Sequence, residues 1–296
     1  MVPHRFGGFW TTAKLEVLKK YLSAYTDALK KQPFRKIYID AFAGTGSRID
    51  SHSNAKEQYS LFPELTGENS QELHDGSAKI ALNTEPPFDE YNFIEIKEER
   101  CKKLLALREM FPDKADKIKV YHGDANKIIQ EICQGSWFGR RAVLFLDPYG
   151  MQVEWSTIDA IASTKAIDLW VLSPLAAINR LLPKSGKISS SCRKRLDKFF
   201  GTKGWHARCY QQEQTPDFFG NKQMNVKKIS TEGIGRYYIE RLKESKFAGV
   251  IDRPGELRNT RKSLLYLLCF AVGNPRGKSI AIKIAEHIIT SMETND

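Results

Sequence analysis

Nowhere in the chain do two cysteines stand close together. The five, Cys101, Cys133, Cys192, Cys209 and Cys269, include no CxxC pair. That spacing argues against a zinc ribbon or a disulfide framework, so the thiols read as reduced and structural and no metal site is expected. Long apolar runs are missing as well. The longest, within Ser263–Val272 (SLLYLLCFAV), reaches about half of the roughly 20 residues a membrane helix requires, and Arg261, Lys262 and Arg276 flank it. It reads as a buried strand, and no membrane association is expected. The N-terminal MVPHRFGGFW lacks the apolar core of a signal peptide, which makes a cytoplasmic location the expectation. Neither GxxxxGK(S/T) nor GxGxxG occurs; the first absence excludes a P-loop NTPase, and the second weighs against NAD.

What is present is ordinary in amount and uneven in placement. With 296 residues, 41 % hydrophobic and 27 % charged, the chain can bury a sizeable core without staples. The net charge of +11 lies almost wholly in the second half: residues 1–150 hold 22 Lys+Arg against 21 Asp+Glu, and residues 151–296 hold 24 against 14. Within Arg180–Lys262 there are 20 basic and 8 acidic residues, with Trp205, Tyr210, Phe218, Phe219, Tyr237 and Tyr238 interleaved. Cations that replace counterions on phosphates, beside aromatics that stack on bases, are the composition of a nucleic-acid surface. A solvated basic face is the plainer alternative. The tightest cluster, Arg193, Lys194, Arg195 and Lys198, falls in a helix expected after Ser189-Ser190-Ser191 and is the candidate nucleic-acid contact.

Residues 12–31 place Leu15, Leu18, Leu22, Tyr25 and Leu29 on one helical stripe. Five strands follow, expected at Lys36–Phe42, Tyr91–Ile96, Lys117–His122, Arg141–Leu146 and Ile167–Leu172. Helices are expected at Gly76–Leu82, Lys97–Met110, Asn126–Cys133 and Trp155–Ser163, and Ser47–Asp75 reads as a long loop. This alternation predicts a doubly wound, Rossmann-like α/β fold with a mostly parallel seven-stranded sheet. Phe247–Ile251 and Leu264–Ala271 would form an antiparallel pair at its edge, joined through Pro254-Gly255, before a last helix at Ile280–Ile289. The expected organisation is an N-terminal helix and core over 1–175, a basic insertion over 176–245 that recognises substrate, and strands and a helix over 246–296 that complete the core.

In an open parallel sheet the ligand sits beyond the carboxyl ends of the strands. Strand one ends in DAFAGTG, where Asp40 can accept from an ammonium or a water and Gly44 and Gly46 permit close backbone approach. Strand two ends at Glu95, able to take both hydroxyls of a ribose. Strand three ends at Gly123-Asp124, where an acid can accept from an adenine amine, and strand four at Asp147-Pro148-Tyr149-Gly150. Asp40 or Asp124 could equally cap the following helix, Glu95 could pair with Lys97 or Arg100, and Tyr149 could be core.

This ordered set resembles the class I S-adenosylmethionine-dependent methyltransferases. The resemblance implies that Asp40, Phe42, Gly44 and Gly46 cradle the amino-acid part of S-adenosylmethionine, that Glu95 holds its ribose and Asp124 its adenine, and that Asp147–Tyr149 form the catalytic turn. Lys14 could reach the cofactor carboxylate, as basic residues ahead of the first strand do in some relatives; a solvent-facing lysine is the alternative. FWTTAKLEVLKKYL, YIDAFAGTGSR, the DGSAKIAL helix start, FIEIKEERCKKL, FLDPYG and YLLCFAVGNPRG further resemble the three-Cys-motif partner proteins (TcmP), whose name refers to cysteines of a protein encoded beside them.

The DPYG turn is similar to the (D/N/S)-P-P-(F/Y/W) turn of amino-methyltransferases of nucleic acids, one proline short, and to the DP(F/Y)G turn of tRNA guanosine-N2 dimethyltransferases. The implied activity is methyl transfer to an exocyclic amino nitrogen of a base in DNA or RNA. Asp147 would accept from the amine, the Pro148 carbonyl region would assist, and Tyr149 would stack. The alternative is a non-catalytic nucleic-acid-binding or adaptor subunit working with a three-Cys-motif partner protein.

Overall fold

A computed structural model describes residues 9–43, 70–217 and 220–293. Strands β1 (Arg35–Asp40), β2 (Glu90–Glu95), β3 (Ile118–His122), β4 (Arg140–Leu146) and β5 (Ile167–Ser173) lie parallel in the order 3-2-1-4-5. A separate two-stranded ribbon, β6 (Tyr210–Asp217) and β7 (Gly220–Lys227), follows. The short strands β8 (Gly249–Val250) and β9 (Gly255–Arg258) both pair with β10 (Leu264–Val272), which runs antiparallel to β5 on its other side. Eight strands thus fill seven positions of a doubly wound, Rossmann-like sheet.

The order follows from burial. Parallel strands covered on both faces need apolar side chains at every position, and every residue of β5 is buried. Its side chains then divide by period two: Ile167, Leu169 and Val171 enter one core, while Trp170 and Leu172 enter the other. β1, β4 and β10 divide in the same way. The helices, in chain order, are α1 (Phe9–Ala28), α2 (Ser70–Leu82), α3 (Glu98–Met110), α4 (Ala125–Gln134), α5 (Trp155–Ser163), α6 (Leu175–Arg180), α7 (Ser190–Phe200), α8 (Trp205–Cys209), α9 (Thr231–Glu244) and α10 (Lys278–Glu293). α1, α2, α3 and α10 cover the Trp170 face, and α4 to α9 the Val171 face.

Helix α1 fixes what lies at the strand ends. Tyr21 Oη donates to Asp168 Oδ2 at 2.9 Å, and its ring packs at 5.3 Å from Trp170 and 4.9 Å from Phe270. Lys14, two turns earlier and so about 10 Å away along the axis, pairs with Asp147. Asp168 opposes Val143, four positions before Asp147 on the neighbouring strand. The helix therefore runs against the strand direction and brings its N-terminal part to the carboxyl ends of the sheet. At the far end of β10 the backbone approach is closest: a Cβ on Gly273 would lie 2.4 Å from Ile167 O, so only glycine fits.

Several expectations change. The second helix begins at Ser70 rather than Gly76. Phe247–Ile251 and Leu264–Ala271 do pair antiparallel, through β8 and β10, but in the segment that joins them Pro254, which lacks a ladder donor, interrupts the edge and Gly255 opens a further strand, β9, on the same partner. The antiparallel strand β10 sits inside the sheet, with that broken edge outside it. The basic stretch contains a ribbon that the sequence does not announce, and it shares the core: Leu196, Phe199, Phe200, Trp205, Cys209 and Tyr210 join the cluster under α5 and α9. Trp205, Tyr210, Tyr237 and Tyr238 are buried at 0 %, 4 %, 9 % and 2 % exposure, so they are core side chains and not a platform for bases. Phe218 and Phe219 lie outside the described residues.

Candidate active site

Register alone sets out an arc of acids. Asp40, the last residue of β1, is level with Phe93 of β2 and Phe145 of β4. Two positions further along those neighbours stand Glu95 and Asp147, and Glu95 is level with His122, two before Asp124. Gly44 and Gly46, which the sequence places next to this arc, lie outside the described residues.

Its centre is buried and densely charged. Asp40 is 1 % exposed, accepts from Tyr38 Oη at 3.3 Å, and takes further hydrogen bonds from the Ser77 side chain and the Phe42 backbone. Burial pushes its carboxyl up from 3.8 to about 6, the hydrogen bonds pull it back, and the nearby Asp147 carboxylate adds to the rise. Asp147, 6 % exposed, receives the Lys14 ammonium, and Lys14 is itself 3 % exposed. Lys14 is therefore not solvent-facing: it is buried and pairs with the fourth-strand acid. Burying one of these groups would cost several kcal/mol, which only a close opposite charge offsets.

Beyond Asp147 the turn is held from below. Pro148 is buried and Tyr149 half-buried, and the Tyr149 amide donates to Gln152 Oε1 at 3.2 Å. Asn126 braces the descending segment: its Nδ2 donates to Gln152 O at 2.9 Å, and its Oδ1 accepts from the Glu154 amide at 2.9 Å and Thr157 Oγ1 at 2.8 Å. Tyr266 of β10 also lies within reach. Burial raises its phenol, the Asp147 and Tyr149 charges add to that, and Arg180 opposes it. The sequence reading missed Asn126, Arg180, Ser77 and Tyr266. Arg180 and Tyr266 belong to elements beyond the five-strand alternation; Ser77 and Tyr266 lie in the DGSAKIAL and YLLCFAVGNPRG segments, which carry the family resemblance without assigning either a role at the site, and no local motif marks Asn126 or Arg180.

Glu95 is 2 % exposed and half occupied. Its Oε1 accepts from the Lys97 amide at 2.8 Å, while Oε2 stands 3.7 Å from Arg100 Nη1 and has no hydrogen bond. A buried carboxylate oxygen left in that state lacks an acceptor's partner and fits a hydroxyl donor such as a ribose supplies. Asp124 is exposed and caps α4, its Oδ1 accepting from the Lys127 amide at 3.1 Å. Phe42 is buried in the core on the Val171 side of the sheet. Arg193, Lys194 and Lys198 are exposed and Arg195 half-buried on α7, remote in sequence from the acids; Lys198 pairs with Glu154 at 2.7 Å. Among the described residues no group of His, Cys, Asp and Glu is arranged to hold a metal ion, and no helix is long and apolar enough to cross a membrane.

No family model matches the chain, and no curated protein matches it in sequence. Among solved structures it is similar to protein LPL1258 of Legionella pneumophila, at 14 % identity over 97 % of this chain and 93 % of that one, with a TM-score of 0.46. Two weaker likenesses are to the Escherichia coli protein yhhF, described as a methyltransferase, and to the 23S rRNA methyltransferase ErmE. The first has 12 % identity over 71 % of this chain and 86 % of that one, TM-score 0.28. The second has 13 % identity over 71 % and 67 %, TM-score 0.25. At such TM-scores the fold rests on the chain's own strand order and register.

Proposed function

We propose that the protein is an S-adenosylmethionine-dependent methyltransferase acting on an exocyclic amino nitrogen of a nucleic-acid base. The observation that carries the reading is the buried Glu95 carboxylate, one oxygen bonded to backbone and the other without a hydrogen bond, at the carboxyl end of the strand beside Asp40. The arc of Asp40, Asp124 and Asp147 around it, and the resemblance of DAFAGTG and DPYG to methyltransferase turns, support the same reading.

Glu95 would hold the ribose, and Asp40 with the backbone after it the amino-acid end of the cofactor. S-adenosylmethionine, when bound, supplies an activated methyl group. The chain's own part is alignment, which can account for much of such a rate. Lys14 holds the Asp147 carboxylate in one place, so the acceptor is fixed before an amine arrives. Asp147 then takes a hydrogen bond from the amine and orients its lone pair, while Tyr149, kept half-buried by the Asn126 brace, offers a face to the base. The low dielectric around Asp147 strengthens that contact. The cations of α7 would neutralise phosphates.

Two measurements on the same variants test the reading. Calorimetry should find S-adenosylmethionine or its homocysteine product bound by the wild type, and about ten- to hundredfold weaker in Glu95→Ala, the usual effect of unpairing a buried polar group. Transfer of labelled methyl to nucleic acid should fall about 10²-fold or more in Asp147→Ala with cofactor affinity little changed. No cofactor binding by the wild type sinks the proposal; binding without transfer to any nucleic acid favours the adaptor subunit.

A further inference from the structure

Two surface features have no part in the chemistry above. The first is a turn at the amino end of the sheet. There β1 and β4 begin side by side, Arg35 opposite Arg140, and the loops leading into them are laced together: the Arg35 amide donates to Gly139 O at 2.9 Å and the Arg140 amide to Trp137 O at 3.2 Å. Gly139 takes a φ of +68°, a conformation that favours glycine, so the turn is fixed by the backbone itself. The neighbouring aromatics are already occupied. Trp137 packs on the core, and Phe34 lies under the Arg141 guanidinium at 4.2 Å. Phe138 is instead 96 % exposed. Arg35, which pairs with Glu90 at 2.9 Å, and Arg140 are exposed beside the turn, and the Ala142 amide, donating to Ala166 O at 3.0 Å, brings exposed Lys165 to the same end. Among the described residues neither Arg140 nor Lys165 makes an ion pair.

The second feature is a groove of 320 Å³ at the edge of the molecule, between α9 and the strands β9 and β10. Its floor is apolar, formed by the buried Ile239, Leu264 and Leu267. Its rim is acidic. Glu232, Glu240, Asp252 and Glu256, half of the eight acids in the otherwise basic Arg180–Lys262, stand there against Arg236 and Lys243. Three of these acids have exposed partners: Arg208 meets Glu240 at 2.5 Å, Lys243 meets Asp252, and Arg258 meets Glu256 at 2.6 Å. Such surface pairs are worth little and give way to a better partner.

An apolar hollow with an acidic rim fits an apolar group carried among cations. A cavity of about 150 Å³ holds a benzene ring, so the groove has room for a phenyl side chain together with the methylene stems beside it. The Phe138 turn supplies both, and an aromatic flanked by arginines is the composition of an interface anchor. Being exposed, Phe138 does not fill the groove of its own chain.

We propose that the protein associates with itself head to tail: the Phe138 turn of one copy enters the α9–β10 groove of the next, and Arg35, Arg140 and Lys165 face the acids of its rim. A contact between two different patches is heterologous, so the assembly closes into a ring or extends as a chain. The proposal is independent of methyl transfer and of nucleic acid.

Sedimentation equilibrium of the full-length, nuclease-treated protein tests it. The average mass should rise with protein concentration at low salt and fall back toward the monomer at high salt, because the facing charges are exposed and screened. Phe138→Ala, at a position that carries no part of the core, should weaken association about tenfold or more. Glu232→Lys with Glu256→Lys should weaken it from the other side. Mixed in equal amounts, the Phe138 variant and the double variant should form a one-to-one pair that does not grow, since each keeps the half that the other has lost. A monomer at every concentration overturns the proposal. So does association that survives Phe138→Ala, that nuclease treatment abolishes, or that the mixed variants fail to restore.

Discussion

Replacing Lys14 by methionine removes the ammonium from a pair whose side chains are 4 % and 7 % exposed, and whose members are 133 positions apart in the chain. Methionine fills most of the volume, so the perturbation is electrostatic. Breaking a buried pair from one side costs about 3–5 kcal/mol, because the remaining charge stays desolvated, whereas removing both charges is often close to neutral. Lys14→Met should therefore lose a large part of a total stability of about 5–15 kcal/mol. Adding Asp147→Asn should restore most of it, giving a coupling of about 2 kcal/mol or more between the two sites. Urea unfolding of the wild type, both single variants and the double variant at pH 7 measures that coupling directly. Additivity within about 0.5 kcal/mol would refute the pair as the device that holds Asp147 in place.

Asp168 sits buried beneath Tyr21 and the Gly273 amide, and burial lifts its carboxyl from 3.8 to about 6. The folded state then binds more protons than the unfolded one between those values, so this group's contribution is full below pH 4 and is lost as pH rises through 6, about 3 kcal/mol in all. Asp168→Asn keeps an acceptor and should flatten that part of the stability profile from pH 4 to 7; an unchanged slope in denaturant midpoints would show that Asp168 is not the titrating group. Replacing Arg193, Lys194 and Arg195 by Ala should reduce the slope of log affinity for nucleic acid against log salt by about three. A slope identical to the wild type's would make these cations bystanders.

The five parallel strands are legible because strands buried on both faces leave continuous apolar runs, and their ends are marked by Asp, Gly and Pro. KIYID, YNFIE and RAVLFL each stop where the next residues turn polar, which is why β1, β2 and β4 fall within a residue or two of their expected bounds. The ribbon leaves no such trace. YQQEQTPD and GNKQMNVK show no apolar alternation by which a strand is read. The broken edge is hidden for another reason: β8 contributes two residues to the sheet, too few to register as a period. At the site, the acids were readable as strand ends, and the Glu95 partner Arg100 as a neighbour one helical turn on. The partner of Lys14 was not, since nothing local links α1 to β4.

The aromatics of the basic stretch carry a different lesson about how a charged surface is made rigid. Composition places them among cations as if both faced solvent, yet Trp205 is fully buried, donating Nε1 to Asp197 Oδ1 at 2.7 Å, and Phe200 and Tyr237 pack beside each other at 5.2 Å. The guanidinium groups lie over such rings: Arg193 over Trp205, Arg208 over Tyr237 at 6.0 Å, and Arg241 over Trp155 at 4.9 Å. Each contact contributes on the order of 0.5–1 kcal/mol at an exposed site, enough to restrict a side chain that otherwise loses about 2 kcal/mol of rotamer freedom when held. The aromatics thus act inward, joining α7, α8 and α9 to the sheet, and restrict the guanidinium groups that lie over them. Were it to meet phosphates, as proposed above, a basic face fixed in this way would lose less entropy than the same charges on a flexible insertion. It also holds the foot of the β6–β7 ribbon at a set place on the body that carries Asp147.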